Sequence, residues 1–133
     1  MRRFHLEIAT PDGKCFDGEA ESFLVKTDDG DVEILAGHAD LLASLATGRA
    51  RILVDGKARY ASASGGFISV TKDGAKVAAI TFEFADEIDE KRAEAAKERA
   101  EAAISSAKDA KAIELAKAKL QRALNRINIA GLK

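Results

Sequence analysis

Apolar and polar residues alternate along the first part of the chain, which is the pattern of β-strands with one buried face. Two runs show this period, each with its apolar residues on a single face: Phe4, Leu6 and Ile8 in FHLEIA, and Ala78, Ile80, Phe82 and Phe84 in KVAAITFEF. Glycine-containing turn signals separate such runs, at residues 10–13, 29–30, 55–56, 65–66 and 73–74. The spacing predicts short strands in an antiparallel sandwich or barrel.

The later part of the chain has a helical period instead. One narrow apolar stripe consists of Ile113, Ala116, Leu120, Ala123, Leu124 and Ile127. An earlier and weaker stripe consists of Ala93, Ala96, Ala100, Ala103, Ile104 and Ala107. Ser105, Ser106 and Asp109 interrupt the period between the two stripes, so the pattern predicts two helices in an antiparallel hairpin.

Composition changes near residue 85 and so marks a boundary between two architectures. All six Phe, the single Tyr and Pro, both His and nine of the ten Gly lie in residues 1–85, whereas residues 86–133 contain no aromatic side chain. We therefore expect an α+β protein with two domains: an antiparallel β-sandwich over residues 1–85 and a two-helix antiparallel hairpin over residues 86–133.

The hairpin is expected to be held loosely against the sandwich. Its first stripe is mostly alanine, and each alanine buries far less area than the leucine-sized side chains that contribute ~1.5–3 kcal/mol when buried. Alanine also has the highest helix propensity, so the helices remain formed when they leave the sheet. The composition thus predicts a mobile, regulatory segment.

Charge and cysteine content exclude several classes of protein. The net charge of the 133 residues is −1, which argues against an overall electrostatic attraction to nucleic acid. Cys15 is the only cysteine, so neither an internal disulfide nor a thiolate metal cluster is expected. The start of the chain does not resemble a secretory signal, and no apolar run approaches the ~20 residues of a membrane span. We expect no direct membrane insertion.

No arrangement typical of catalysis is present. The sequence has no phosphate loop of the Walker type, no G-x-S-x-G and no H-E-x-x-H. His5 and His38 lack histidine or cysteine partners at metal-ligand spacing, and Cys15 is expected to be a half-buried strand residue. We expect neither catalytic nor metal-binding residues and no required cofactor. The chain is therefore interpreted as a binding protein that changes conformation.

Arginines form the strongest candidate site. Arg92 and Arg99 share a face of the first helix, and Arg122 and Arg126 share a face of the second. A hairpin turn near residues 105–109 brings the two pairs together, and like charges repel unless carboxylates or an anion lie among them. A polyphosphate fits, because guanidinium groups bind phosphate through bidentate hydrogen bonds. Residues 111–133 support this with six Lys or Arg and one Glu, a net charge of +5.

Asp89 and Arg92 also have a plainer interpretation. Acidic residues at positions 86–90 favour the positive end of a helix dipole, so this segment has the pattern of a helix N-terminus. The two side chains could then form a surface pair contributing at most ~1 kcal/mol. The pattern alone favours this interpretation over a ligand site.

Four motifs resemble the epsilon subunits of bacterial F-type ATP synthases: TPDG at 10–13, DDGDVEILAGHADLL at 28–42, SGGFISV at 64–70 and IDEKRA at 88–93. They occur in register along essentially the whole chain. The resemblance implies a sandwich of about ten short strands that binds the gamma subunit and the membrane rotor ring. It also implies a hairpin that extends into the alpha/beta catalytic head and inhibits ATP hydrolysis.

The resemblance implies a function and a place in the cell as well. Such subunits are non-catalytic parts of the central stalk of the rotor, which couples ion translocation to ATP synthesis. The implied location is the cytoplasmic face of the bacterial membrane, peripheral and within the synthase. The isolated subunit is expected to be a monomer.

Some relatives of this kind bind ATP between the sandwich and the folded hairpin through an I-D-x-x-R-A motif. Ile88, Asp89, Arg92 and Ala93 match this motif. Glu83, Arg122 and Arg126 fall where the family has further nucleotide contacts, and Arg99 is added from the helix geometry. ATP is therefore expected as a regulatory ligand that binds only the folded hairpin and so shifts its equilibrium.

The loop at residues 31–42 matches the family's contact with the rotor ring. Asp31 and His38 stand in the matching places. The family pattern G-x-L-G-I-L-P-G-H-x-P-L has a glycine and two prolines where this chain has Glu33, Ala36 and Asp40, so the details of the ring contact are expected to differ. Loss of proline is expected to loosen the loop.

A competing hypothesis is a free-standing nucleotide-binding sandwich whose helical tail forms a coiled-coil dimer. A coiled coil favours apolar residues sustained over three or more heptads. The Ala and Ser content of the stripes and the break at residues 105–106 argue against it.

Overall fold

The computed structural model describes residues 2–132 and contains eight strands, a single 3₁₀ turn and two helices. The strands are β1 Phe4–Thr10, β2 Gly13–Ala20, β3 Ser22–Thr27, β4 Gly30–Leu35, β5 Leu41–Ser44, β6 Gly48–Val54, β7 Lys57–Thr71 and β8 Gly74–Phe84. The turn Ala85–Glu87 leads into α1 Glu90–Ser106 and α2 Ala110–Ala130. The expected order of a sandwich followed by a helical hairpin is confirmed.

The strands form one continuous hydrogen-bonded sheet in the order β2-β1-β8-β7-β6-β3-β4, with β5 added along β7. All pairings are antiparallel except that of β1 with β8. The sheet folds over a single apolar core, whose largest fully buried side chains are Phe23, Leu6, Ile8, Ile34, Ile52, Ile68 and Val25. Cys15 is half-buried on β2 as expected, and burial raises the pKa of its thiol.

The strand count is eight where about ten were expected. β7 is 15 residues long and runs past two successive partners without interruption. Its residues 57–63 pair with β6, and its residues 67–70 pair with β5. β8 pairs with β7 along almost its whole length. Two long strands therefore take the place of several short ones, which lowers the strand count.

The inward face of β7 and β8 changes part of the way along both strands. On β8 the buried positions are Val77 and Ala79 and then Phe82, so Ala78 and Ile80 are exposed and the predicted common face with Phe82 is wrong. The change lies opposite Gly65 and Gly66 of β7, which have φ values of 72° and 92°. A strand cannot keep its two-residue period through such a conformation, because side chains alternate only in extended backbone.

The two helices pack along each other and cover part of the sheet, with the turn at residues 107–109 where the sequence predicts it. The buried positions are mostly small: Ala93, Ala100, Ala116, Ala123, Ile129 and Ala130. Leu124, predicted to be in the buried stripe, is 40% exposed. Ala123 is buried, and successive helical residues point about 100° apart around the helix axis. Leu124 therefore points away from the buried side.

A small apolar cluster closes the base of the hairpin. Ala85 and Ile88, just before α1, pack against Ile129 and Ala130 at the end of α2, and Tyr60 of β7 lies against all of them. This hinge cluster joins both ends of the hairpin to the sheet. Lys133, which was counted in the basic segment, lies outside the described residues. Neither described helix combines the length and the apolar character that a membrane span requires.

Gly66 is expected to tolerate no side chain. With its φ of 92°, an added Cβ would lie 1.8 Å from the backbone oxygen of Ala78 on the paired strand. We expect Gly66→Ala to lower the free energy of unfolding by at least ~3 kcal/mol, measured by chemical denaturation. Gly56→Ala is the control, because Gly56 also has a positive φ but an added Cβ there meets no atom within 4 Å. Equal losses in the two variants would contradict this explanation.

Candidate functional site

A cavity of about 630 Å³ lies between the sheet and the helical hairpin. Its floor consists of Ser62 and Ser64 of β7 and Thr81 and Glu83 of β8. Its walls consist of Ala96, Arg99, Ala100 and Ala103 of α1 and of Lys119, Arg122, Ala123 and Arg126 of α2. Every apolar wall residue is an alanine, so the helices approach the sheet without filling the space between them.

The cavity is strongly cationic. Four Lys or Arg side chains line it together with one carboxylate, that of Glu83. Glu83 is paired with Arg126, whose Nε lies 2.7 Å from Oε1 and whose Nη2 donates a hydrogen bond to Oε2 at 3.3 Å. Arg99, Lys119 and Arg122 form no ion pair with any residue in the range 2–132. The site therefore presents three positive charges that no protein carboxylate neutralises.

Hydroxyl groups on the floor of the cavity add hydrogen-bonding capacity. Ser62 and Ser64 are almost fully buried, and they project from β7 toward the hairpin because the strand alternates in this stretch. The Ser64 hydroxyl lies 2.7 Å from that of Thr47. Cationic walls over a hydroxyl-lined floor are suited to an anionic ligand with several oxygen atoms.

The structure divides the eight predicted nucleotide residues into two groups. Arg99, Arg122 and Arg126 line the cavity, as the hairpin geometry predicted, and so does Glu83, which the resemblance implied. Ile88, Asp89, Arg92 and Ala93 are not among the lining residues and lie at the start of α1, so Arg92 does not join the other three arginines as that geometry predicted.

The motif residues at the start of α1 have clear structural roles. Asp89 is the N-cap, and its Oδ1 accepts a hydrogen bond from the backbone N–H of Arg92 at 3.1 Å. Ile88 is buried in the hinge cluster, and Ala93 is fully buried in the hairpin. The side chain of Arg92 is exposed. The plainer interpretation of Asp89 and Arg92, helix-start chemistry, therefore describes the geometry of this chain.

Lys119 and the floor residues were missed by the sequence interpretation. Lys119 precedes Arg122 by three residues and Arg126 by seven, so its spacing alone places it on the same helical face. The role of Ser62, Ser64 and Thr81 had no comparable signal, because only the tertiary fold shows that this part of the sheet faces the hairpin.

Asp31 and His38 do not lie together. Asp31 is on β4 opposite Lys26 and borders a groove beside the end of α2. His38 follows the other end of β4, where its Nδ1 is 2.6 Å from the backbone oxygen of Ala39. It borders a second cavity of about 440 Å³ together with Arg2 and Asp40. The contact of these two residues with a rotor ring stays a prediction.

Some titratable groups away from the cavity form surface ion pairs. His5 lies 2.8 Å from a carboxylate oxygen of Asp17 and 3.4 Å from one of Glu19. The hydrogen bond from Lys14 lowers the pKa of the exposed Asp17 carboxyl. Across residues 2–132, no three His, Cys, Asp or Glu side chains are grouped so as to hold a metal ion.

Comparison with known protein families divides the chain at the same place as its composition. Residues 3–85 match the beta-sandwich domain of the ATP synthase delta/epsilon chain, and residues 86–131 match the long alpha-helix domain of that chain. Proteins named ATP synthase epsilon chain are similar over nearly their full length. Those of Bacillus velezensis and Bacillus subtilis are 40% identical, with 98% of this chain and 99% of theirs covered. That of Ruminococcus albus is 39% identical, with both chains covered completely.

Solved structures show the same fold. A chain in the mitochondrial ATP synthase of Euglena gracilis has a TM-score of 0.81 at 23% identity, covering 98% of this chain and 82% of that chain. A chain from the central stalk and c-ring of the Tetrahymena thermophila synthase has a TM-score of 0.67 at 14% identity, covering 97% of each.

Asp89 gives a test that separates helix capping from charge. We expect Asp89→Ala to destabilise the start of α1 by ~1 kcal/mol, because an N–H of the first turn loses its acceptor. Asp89→Asn is the matched control, since asparagine caps as well as aspartate but carries no charge. Hydrogen exchange at residues 90–93 measures the effect. Faster exchange in Asp89→Asn than in wild type, equal to that of Asp89→Ala, would show that the charge matters and not the cap.

Proposed function

The chain belongs to the ATP synthase delta/epsilon chain family, and from this premise we propose that it is a regulatory rotor-stalk subunit with a nucleotide-sensitive hairpin. Subunits of this kind take part in coupling ion translocation to ATP synthesis without catalysing a reaction themselves. A non-catalytic role agrees with the cavity chemistry, because its one carboxylate is already paired with Arg126 and it contains no nucleophile paired with a base.

The regulatory ligand that we propose is ATP, bound in the cavity between the sheet and the hairpin. One observation carries this proposal: Arg99, Lys119 and Arg122 converge from two helices with no protein carboxylate to neutralise them. A triphosphate supplies the missing negative charge through charge-assisted hydrogen bonds. ATP then stabilises the docked hairpin, because the walls of its site come from the helices and the floor from the sheet.

The docked hairpin is held weakly enough for ligand binding to shift the equilibrium between its docked and released positions. Its contacts with the sheet are an ion pair, two hydrogen bonds from Asn125 and the small hinge cluster. A ligand at ~100 times its dissociation constant stabilises the state that it binds by ~2.7 kcal/mol, about a hundredfold in population. When ATP is scarce the hairpin is released, and its basic second helix extends toward the alpha/beta catalytic head and inhibits hydrolysis.

The sheet also presents a surface for the gamma subunit. Leu42 of β5, Phe67 of β7 and Ile80 of β8 are 74%, 49% and 65% exposed. Phe67 pairs with Ser44 of β5 on one side and with Ala78 of β8 on the other. Leu42 and Ile80 are each two residues from these partners and so lie on the same face as Phe67. The three apolar side chains therefore form one stripe across adjacent strands. An exposed apolar stripe of this kind is typical of a protein–protein contact. We assign the stripe Leu42–Phe67–Ile80 to gamma.

We propose that the loop after β4, which carries His38, contacts the membrane rotor ring, and that Asp31 contributes only from its periphery. Both partners place the subunit peripherally at the cytoplasmic face of the bacterial membrane. The alternative of a helical dimerisation tail is not favoured, because α1 and α2 pack along each other and their buried positions are mostly alanine rather than the sustained larger apolar residues of a coiled coil.

Calorimetric titration of the full chain with ATP tests the nucleotide site. We expect Arg122→Ala to weaken binding at least ~10-fold, because it removes hydrogen bonds to a charged ligand. Arg99→Ala is expected to have a similar effect. Lys117→Ala is the control, since Lys117 is exposed on α2 and is not a cavity residue. Arg92→Ala is expected to have a smaller effect than Arg122→Ala. If Arg122→Ala binds ATP as tightly as Lys117→Ala does, the cavity is not the site.

Recovery of the gamma subunit tests the apolar stripe. We expect Phe67→Asp to reduce copurification of gamma with the tagged chain at least ~10-fold, because it places a charge in a contact worth ~1.5–3 kcal/mol. Leu115→Asp adds the same charge at an exposed leucine on the hairpin and is expected to leave recovery unchanged. Equal recovery with the two variants would place gamma elsewhere on the sheet.

A further inference from the structure

Two residues near the end of α2, neither of which lines the cavity, attach the hairpin to the sheet. Asn125 projects onto β6 and β7, where its Nδ2 donates hydrogen bonds to the backbone oxygen of Gly48 at 2.9 Å and to the Ser62 hydroxyl at 2.8 Å. Ile129 is one turn further on and is 2% exposed in the hinge cluster. Residues four apart lie on the same helical face, so both hold one side of α2.

Asn125 and Ile129 do not line the proposed ligand site, although Ser62, one of the two acceptors of Asn125, is part of its floor. Asn125 and Ile129 border the groove on the other side of α2 together with Lys26 and Arg49. Inside the cavity, α2 is attached through the Arg126–Glu83 ion pair, which a polyphosphate can compete with directly. The hydrogen bond of Asn125 to Gly48 and the apolar contacts of Ile129 lie outside the cavity and do not face such competition.

The acceptors of Asn125 are buried, which makes its hydrogen bonds costly to lose. Ser62 is 5% exposed and Gly48 is also buried. The side chain of Lys26 lies so close to Gly48 that an added Cβ would come within 2.7 Å of it, so the Gly48 backbone is covered from that side. A buried acceptor left without a donor carries the full penalty of desolvation.

We propose that Asn125 and Ile129 form a latch that sets the docked fraction of the hairpin before any nucleotide binds. The inference rests on the nucleotide-sensitive hairpin proposed above. It adds what determines the docked fraction before nucleotide binds. The nucleotide shifts the docking equilibrium by binding the cavity, while the latch fixes where that equilibrium starts. A weaker latch therefore requires more nucleotide to dock the hairpin, because apparent affinity falls with the fraction of molecules competent to bind.

Dipolar distance measurements on the full chain test the latch. Nitroxide labels at Lys57→Cys, the first residue of β7, and at Lys108→Cys, between the helices, report docking in a Cys15→Ala background. Without nucleotide, we expect Asn125→Ala to raise the ratio of undocked to docked molecules ~10-fold, and Ile129→Ala to raise it at least as much. Asn128→Ala is the matched control, because Asn128 is the same residue type, exposed and on the last turns of the same helix.

The partner of Asn125 supplies an independent variant. Ser62→Ala removes one acceptor from the sheet and is expected to raise the undocked ratio less than Asn125→Ala does. The double variant is expected to fall short of the product of the two single effects, because the shared hydrogen bond is lost only once. Ile129→Val replaces Ile129→Ala if the larger truncation prevents folding. The latch is disproved if Asn125→Ala and the Ile129 variant both show a ratio of undocked to docked molecules within twofold of wild type.

Addition of ATP separates this proposal from the previous one. If both hold, saturating ATP returns Asn125→Ala to the docked distance, at a higher concentration than wild type requires. If ATP changes nothing in wild type while Asn125→Ala still undocks without nucleotide, the latch is upheld and the nucleotide site is wrong. If ATP docks wild type but Asn125→Ala behaves as Asn128→Ala does, the nucleotide site is upheld and the latch is wrong.

Discussion

The arrangement of cationic side chains around the cavity between the sheet and the hairpin is the feature on which the proposed switch depends. Arg99 of α1 and Lys119 and Arg122 of α2 line the cavity together, and the one carboxylate that lines it is already bound to Arg126. Larger apolar side chains on the helices would fill the space and displace these cations, but alanine leaves it open. The same alanines limit the apolar area between the helices and the sheet, so the interface proposed to hold an anion is also one with little apolar burial to keep the hairpin docked.

The change of face in β7 and β8 gives the sheet two surfaces with different chemistry. Before Gly65, the outward side chains of β7 are the serines that form the cavity floor. Beyond Gly66, the outward side chain is Phe67, which is part of the apolar stripe. Two consecutive glycines with positive φ thus separate a polar surface, which the hairpin covers, from the exposed apolar stripe that we propose as a protein contact.

The I-D-x-x-R-A motif is explained by the base of the hairpin more than by direct contact with the cavity. Ile88 joins the start of α1 to the end of α2, Asp89 caps α1, and Ala93 allows the helices to approach closely. Together they fix the position and direction of α1. The motif therefore contributes to the proposed ligand site through the placement of Arg99, two turns further along the helix.

The sequence by itself determined the two domains, the hairpin break and the cationic character of α2, because these depend on local period and on spacing along one element. It also identified the family, through four motifs in register. The reversal of face at Ala78 and Ile80, the outward position of Leu124 and the division of the motif residues from the cavity were decided by tertiary structure. Each depends on which surfaces of the sheet and hairpin meet. That packing is determined jointly by residues that are far apart in the chain.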